Sequence, residues 1–216
     1  MMKIFGIAIA LVLLLGIGAS AGTIDLYIAQ DFSLIAAPEV PLNPDPGVLF
    51  AGYYPDYALM RYDPTNPGYV TYPEPAFGGL LLGEAYWYAW GDVPTTVTYA
   101  SLENGVPATP GGAKTDMWIS LPGDQTDGGD YGGWHMIGTP YDTNVPVLNI
   151  SVTNGTWVKP WAQAAAEGQC DSTMLAMGLT GYEPITAGTA DVMAKRRGYW
   201  FCCYFDNLAL IITAPP

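Results

Sequence analysis

The sequence is poor in the residues on which most enzymes and nucleic-acid-binding proteins depend. Its 216 residues include one histidine and seven lysines and arginines, against twenty acidic residues, and the formal net charge is −13. Such a surface repels phosphate backbones and anionic lipid heads, which argues against nucleic acid as a partner. The H-E-x-x-H motif, the Walker loop and the dinucleotide fingerprint are also missing from the sequence, so we expect no cofactor.

Long uncharged apolar runs are scarce as well, and the only one lies at the start of the chain. Lys3 precedes an apolar run over residues 4–18, and Ala19-Ser20-Ala21 offers a small-x-small cleavage site. This pattern is typical of a secretory signal peptide, and the run is shorter than the ~20 residues of a membrane helix. We therefore predict a signal peptide over 1–21, a secreted or cell-surface protein, and no membrane span after the leader is removed.

The remaining composition favours an all-β fold. Half of the residues are hydrophobic, so a core can form, and 26 glycines and 19 prolines punctuate the chain. Abundant Tyr, Trp, Val and Thr between these breaks indicate short strands joined by tight turns.

Three sequence patterns recur in the same order in the two halves of the chain. They pair residues 32–38 with 134–140, residues 59–70 with 174–183, and residues 83–99 with 197–212. The second and third pairs share one offset, so the second copy carries an insertion between its first and second patterns. We predict two fused similar antiparallel β units, sandwich or barrel-like, over 22–108 and 109–216, with an acidic Gly-rich linker at the start of the second.

The insertion and the C-terminal segment complete the prediction of secondary structure. Residues 160–168 combine an early proline, a run of alanines and a final glycine, which predicts one short helix in the second unit. The apolar segment 198–216 is interrupted by Asp206 and Asn207. An acidic break of this kind is typical of a turn, so we predict a hairpin in the core rather than a membrane anchor.

With these patterns placed, the chain resembles a poorly characterised family of secreted bacterial β-repeat modules. The resemblance covers nearly the whole chain after the leader. It rests on the segments 32–38, 62–70, 134–140, 198–200 and 206–212, with their Gly-Tyr-Val, Gly-Tyr-Trp and Asp-Asn-Leu-Ala-Leu-Ile-Ile motifs. It implies an extracellular β module and supplies no catalytic residues.

Two ligand sites are candidates on the sequence. Tyr86, Tyr88 and Trp90 share one face of an aromatic strand, and Trp87 shares the other with its counterpart Trp200. We assign the Trp87 face to the core and predict that the three other rings bind a ligand. Carboxylates that could hold Ca²⁺ also lie in a Gly-rich loop, although the EF-hand spacing is absent and a solvated linker is the simpler interpretation. They are Asp124, Asp127 and Asp130.

The cysteines lie in the exported part of the chain, where disulfides persist. Cys202 and Cys203 are adjacent in a strand and point to opposite faces, so we predict one disulfide from Cys170 to either of them, with three reduced thiols as the alternative.

The sequence therefore predicts a secreted structural or adhesive protein, whose partners are other extracellular proteins, a second copy of itself, or glycans. A carbohydrate-binding module is the alternative, and a glycosidase-like enzyme using paired carboxylates is a third hypothesis.

Overall fold

A computed structural model of the chain describes residues 21–29, 31–53, 56–90, 94–102, 114–123 and 133–216. In this part of the chain, no helix is long and apolar enough to cross a membrane. The predicted leader and the candidate Ca²⁺ ligands Asp124, Asp127 and Asp130 lie outside the described residues, so both stay predictions.

Antiparallel strands make up most of the described structure. The strands are β1 (Ala21–Ile28), β2 (Asp31–Ala36), β3 (Leu59–Asp63), β4 (Gly68–Thr71), β5 (Ala85–Trp90), β6 (Thr95–Leu102), β7 (Met117–Leu121), β8 (Trp134–Gly138), β9 (Val145–Pro146), β10 (Ile150–Thr153), β11 (Val158–Pro160), β12 (Thr173–Gly178), β13 (Gly181–Thr186), β14 (Val192–Met193), β15 (Gly198–Cys202) and β16 (Leu208–Ile212). The helices are α1 (Pro46–Leu49), α2 (Trp161–Ala166) and a 3₁₀ turn (Val147–Asn149).

Unit one, formed by β1 to β6, packs a four-stranded sheet of order β2-β5-β3-β4 against the antiparallel pair β1-β6. Alternation along β1 buries Ile24, Leu26 and Ile28, while the residues between them face outward. The buried set meets the rings of Tyr86 and Tyr88 from β5, so these rings fill the core of the unit.

Unit two, formed by β7 to β16, has the sheet β13-β12-β15-β8 facing the sheet β11-β10-β16-β7. Helix α2 covers one end of its core with Trp161, whose indole N–H donates to the carbonyl oxygen of Asp171 at 2.8 Å. The two described units are thus similar antiparallel β units, with the predicted short helix in the second.

The larger sheet of unit one and its counterpart in unit two have the same strand order. Strands β2, β5, β3 and β4 correspond to β8, β15, β12 and β13. In each sheet the central strand carries a tryptophan at matching positions: Trp87 lies between Leu34 and Met60, and Trp200 lies between Met136 and Leu175. The two sheets therefore agree in strand order and register, and duplication of one sequence stays a prediction.

The predicted C-terminal hairpin is wrong. Strand β15 joins the sheet of β12 and β8, whereas β16 joins the opposite sheet between β10 and β7. The turn around Asp206 therefore connects two different sheets. Strand β15 pairs with β8 and β12, and β16 pairs with β7 and β10, so the two strands do not pair with each other. Both strands nevertheless lie in the core, as predicted.

Helix α1 was not predicted. It is a single turn that starts after Asp45, whose carboxylate accepts a hydrogen bond from the N–H of Gly47 at 2.9 Å. An aspartate followed by proline is a helix-start signal that the sequence contains.

Candidate binding site

The predicted ligand face of β5 is wrong for two of its three rings. Tyr86 and Tyr88 are fully buried. The side chain of Trp90 lies outside the described part of the structure. Burial raises the pKa of Tyr88 to about 12, and the Tyr86 hydroxyl accepts a hydrogen bond from the N–H of Leu81 at 2.7 Å. The prediction failed because both faces of β5 are covered: the tyrosines meet the core of unit one, and Trp87 meets unit two.

The sheet β2-β5-β3-β4 of unit one packs against the sheet β8-β15-β12-β13 of unit two, through the faces that carry Trp87 and Trp200. This interface buries residues from both units, namely Leu34, Ala36, Ala85, Trp87, Met136 and Trp200. Its centre is formed by small residues. A Cβ added at Gly138 would lie 2.1 Å from the Cβ of Ala36, and one at Gly198 would lie 2.6 Å from the Cβ of Ala85. The backbones of the two units therefore approach each other closely here.

Reciprocal backbone contacts join the units. The N–H of Ala36 donates to the carbonyl oxygen of Arg196 at 3.2 Å, and the N–H of Gly138 donates to that of Gly83 at 3.0 Å. Ala36 on β2 and Gly138 on β8 occupy matching places in the two sheets, and so do Gly83 and Arg196, which precede β5 and β15. Each unit thus gives the other the same contact that it receives, which is the geometry of a two-fold axis within one chain.

Aromatic rings surround the outer edge of this interface and form what we call the aromatic patch. Its members are Phe32, which packs against Trp87, the rings of Tyr62, Tyr69 and Trp134, which pack against Trp200, and Tyr182, which interacts electrostatically with Tyr69.

Tyr69 and Tyr182 occupy corresponding positions on β4 and β13, and they remain 52% and 54% exposed. The ring of Tyr69 lies 6.4 Å from that of Trp200, edge to face. Partial burial raises the pKa of the Tyr69 phenol, and a hydrogen bond with Trp87 acts in the opposite direction. Tyr69 is thus held in place by the buried tryptophans below it, and Tyr182 lies near enough to interact with it electrostatically.

A groove of 660 Å³ runs beside the patch, between β1–β2 of unit one and the β12–β13 hairpin of unit two. Arg196 lines this groove and connects the two units. Its guanidinium donates to both carboxylate oxygens of Asp142, at 2.6 and 2.7 Å, and to the carbonyl oxygen of Asp25. Burial favours the neutral form of Asp142, yet the bonds from Arg196 outweigh it and lower the pKa of that carboxyl. Arg197 pairs with Glu183 at 2.6 Å.

A smaller groove of 280 Å³ occupies the corresponding place on the other side of the interface. Its lining includes Arg61, the two carboxylate residues Asp63 and Glu84, and the single histidine of the sequence. This residue, His135, is 4% exposed, and burial lowers its pKa to about 4, so its imidazole is neutral at physiological pH. The corresponding residue in the larger groove is Ser33, so the two grooves differ in chemistry.

The predicted disulfide is not formed, since the structure contains three free cysteines. Cys170 and Cys203 nevertheless face each other as an antiparallel bridge. The backbone hydrogen bonds lie on either side of this pair: the N–H of Asp171 donates to the carbonyl oxygen of Cys202, and the N–H of Tyr204 donates to that of Gln169. The two cysteines are therefore a non-hydrogen-bonded antiparallel pair, in which Cα atoms lie about 4.5 Å apart. The thiols pack as small apolar groups, and burial raises the pKa of Cys170 to about 12.

Within the described residues, no group of three or more His, Cys, Asp or Glu side chains could hold a metal ion. Comparison of the chain with protein-family models, with curated proteins and with solved structures finds no match.

Sequence reasoning used Gly68-Tyr69 and Gly181-Tyr182 only as markers of the repeat. Their recurrence at corresponding hairpins was the signal that could have identified the exposed rings. The interface itself was missed because a strand buried on both faces does not show which of its faces meets a second unit.

Proposed function

We propose that the protein is a secreted structural or adhesive β module that holds its partner through the aromatic patch. The observation that carries this proposal is a pair of half-exposed tyrosines at corresponding places, Tyr69 and Tyr182, the first of which packs against the buried Trp200. Exposed apolar patches of this kind mark interaction sites. Tyrosine also contributes a large contact area at a small cost in side-chain entropy.

The net charge of −13 defines the partner further. A polyanion would be repelled, so the partner surface is neutral or basic. The leader pattern favours an extracellular partner, and N-terminal sequencing of exported material should place the mature terminus near Gly22.

Carbohydrate is the second candidate for the partner, favoured by the polar groups beside the rings. Glu183 and Arg197 line the 660 Å³ groove together with Phe32, which is 53% exposed. Aromatic faces beside carboxylate and guanidinium groups can stack on a sugar ring and hydrogen-bond its hydroxyls.

A glycosidase finds less support in this geometry. Asp63 and Glu84 line one groove, but the pKa of Asp63 is lowered. Burial acts to raise it, and the hydrogen bonds from Thr65 and Asn66 outweigh burial. A general acid in glycoside hydrolysis needs the opposite shift.

The test compares the mature protein, residues 22–216, with the double variant Tyr69→Ala/Tyr182→Ala. Self-association is measured by analytical ultracentrifugation, and glycan binding by co-sedimentation with insoluble polysaccharides and by quenching of tryptophan fluorescence. Trp118→Ala is the matched control, because Trp118 is 56% exposed on β7, outside the patch.

We expect the double variant to lose binding while the control keeps it. Sugar-dependent quenching in the native protein would select the carbohydrate candidate over self-association. A double variant that folds and behaves like the native protein in every assay would contradict the role of the patch.

A further inference from the structure

The 280 Å³ groove contains buried polar atoms that the rest of the fold leaves unsatisfied. Among the residues that the structure describes, the Nε2 atom of His135 and the Nε atom of Arg61 have no hydrogen-bond partner. Both residues line this groove. An unpaired buried polar group costs about 1–3 kcal/mol, so such groups are uncommon and call for an explanation.

The corresponding position in unit one has no such defect. Ser33 lies where His135 lies in unit two, and its hydroxyl accepts a hydrogen bond from the N–H of Ala29 at 2.8 Å. The unpaired imidazole is therefore particular to the smaller groove and is not required by the repeat.

The charges around the groove restrict what could satisfy these atoms. Arg61 is cationic, and its guanidinium lies 3.6 Å from the carboxylate of Glu84. Asp63 adds a second carboxylate to the lining. An anion would meet both carboxylates and a cation would meet the guanidinium, so a neutral ligand fits best.

Hydrogen-bonding capacity restricts the ligand further. The Nε–H of Arg61 can only donate, whereas Nε2 of a neutral imidazole donates or accepts according to its tautomer. A hydroxyl group can do either, so neighbouring hydroxyls satisfy both atoms whichever tautomer is present. Tyr62 also lines the groove and offers a ring against which C–H groups can pack.

We propose that the groove lined by His135, Arg61 and Tyr62 is a binding site for a neutral polyhydroxyl ligand the size of one monosaccharide. The cavity of 280 Å³ is close to the lower limit of small-molecule sites, about 300 Å³, which suits one sugar ring and excludes a longer chain from full burial. The site shares Tyr62 with the aromatic patch but does not include Tyr69 or Tyr182, so its test does not depend on polymer binding through those two tyrosines.

The test uses the only histidine of the chain as a reporter. The mature protein is labelled with ¹⁵N-histidine, and its imidazole resonances are followed at neutral pH during titration with D-glucose, D-galactose, D-mannose or glycerol. Acetate and methylammonium serve as charged probes. We expect at least one neutral sugar to shift the Nε2 resonance saturably, with a millimolar dissociation constant, while the charged probes leave it unchanged.

Two variants test whether the sugar contacts Arg61 and His135. Arg61→Lys keeps the charge but removes the Nε–H, and it should weaken sugar binding about tenfold by saturation-transfer NMR, the loss expected for one hydrogen bond. His135→Phe should weaken binding similarly. Ser33→Ala, at the corresponding place in the other groove, is the control and should bind as the native protein does.

Three results would overturn the proposal: no shift with any sugar, a shift with acetate or methylammonium instead, or full sugar binding in both folded variants. The native-protein titration decides the matter even if a variant fails to fold. Polymer binding without a His135 shift would support the aromatic patch alone. A His135 shift without polymer binding would support this site and contradict the proposed role of the patch.

Discussion

Burial of His135 should make the stability of this protein depend on pH in a way that one substitution removes. The pKa of a histidine in the unfolded chain is about 6.5, and burial lowers it to about 4 in the folded protein. Between these values the unfolded chain binds a proton that the folded protein does not, so acid favours unfolding. The contribution of His135 is intact above about pH 6.5 and is lost as the pH falls towards 4.

The magnitude follows from the difference between the two pKa values. Each pKa unit corresponds to about 1.36 kcal/mol, so the native protein should lose about 2 kcal/mol by pH 5 and about 3 kcal/mol by pH 4 through this residue alone. His135→Phe keeps an aromatic ring beside a groove that has room for it, and it cannot titrate. The carboxylates also contribute to acid unfolding, but they are common to both proteins and cancel in the difference.

The assay is urea unfolding of both proteins at neutral pH, at about pH 5 and at about pH 4, with free energies from linear extrapolation. We expect the difference between the variant and the native protein to shift by about 3 kcal/mol in favour of the variant across this range. A difference that stays constant with pH would show that the imidazole is accessible to protons in the folded state, and the argument from burial would then be wrong.

Three other perturbations test the packing. Gly138→Ala should lower the free energy of unfolding by about 1–3 kcal/mol, because the added methyl group would collide with Ala36. Adding Ala36→Gly to this variant should restore most of the loss in urea unfolding. If the effects of the two substitutions are additive, the close contact between them is contradicted. Cys170, a free buried thiol whose pKa burial raises to about 12, should react with a thiol reagent only after unfolding in urea, and rapid labelling of Cys170 in the folded protein would contradict its burial. Trp161→Ala should lower the free energy of unfolding by about 3–5 kcal/mol in the same assay, because the buried indole packs against Phe201. A loss below about 1 kcal/mol would show that α2 contributes little to the core.

Local patterns in the sequence were sufficient for some of the strands and for the helix of unit two. The aromatic segments that open on Tyr-Trp located β5 and β15, and the proline, alanines and glycine of residues 160–168 located α2. These elements depend on neighbours a few residues away, so their signals are local.

The pairing of strands and the exposure of their faces could not be obtained in this way. The acidic break at Asp206 predicted a turn correctly, but it carries no information about which sheet the next strand joins. Likewise the alternation in β5 separates Tyr86 from Trp87 without showing that a second unit covers Trp87. Strand β15 is buried along its whole length, and such a run is typical of a strand covered on both faces. That signal was present and indicated a second layer.

The four small residues at the centre of the interface make the two halves complementary to each other rather than to themselves. Unit one contributes Ala36 and Ala85, and unit two contributes Gly138 and Gly198. If two copies of unit one met in this geometry, methyl groups would collide, and two copies of unit two would leave a gap. When the chain is divided between residues 108 and 109 and its halves are produced separately, a one-to-one heterodimer should therefore form in preference to either homodimer. The order of the units along the chain would then be dispensable for assembly, because recognition lies in which half carries methyl groups and which half leaves room for them.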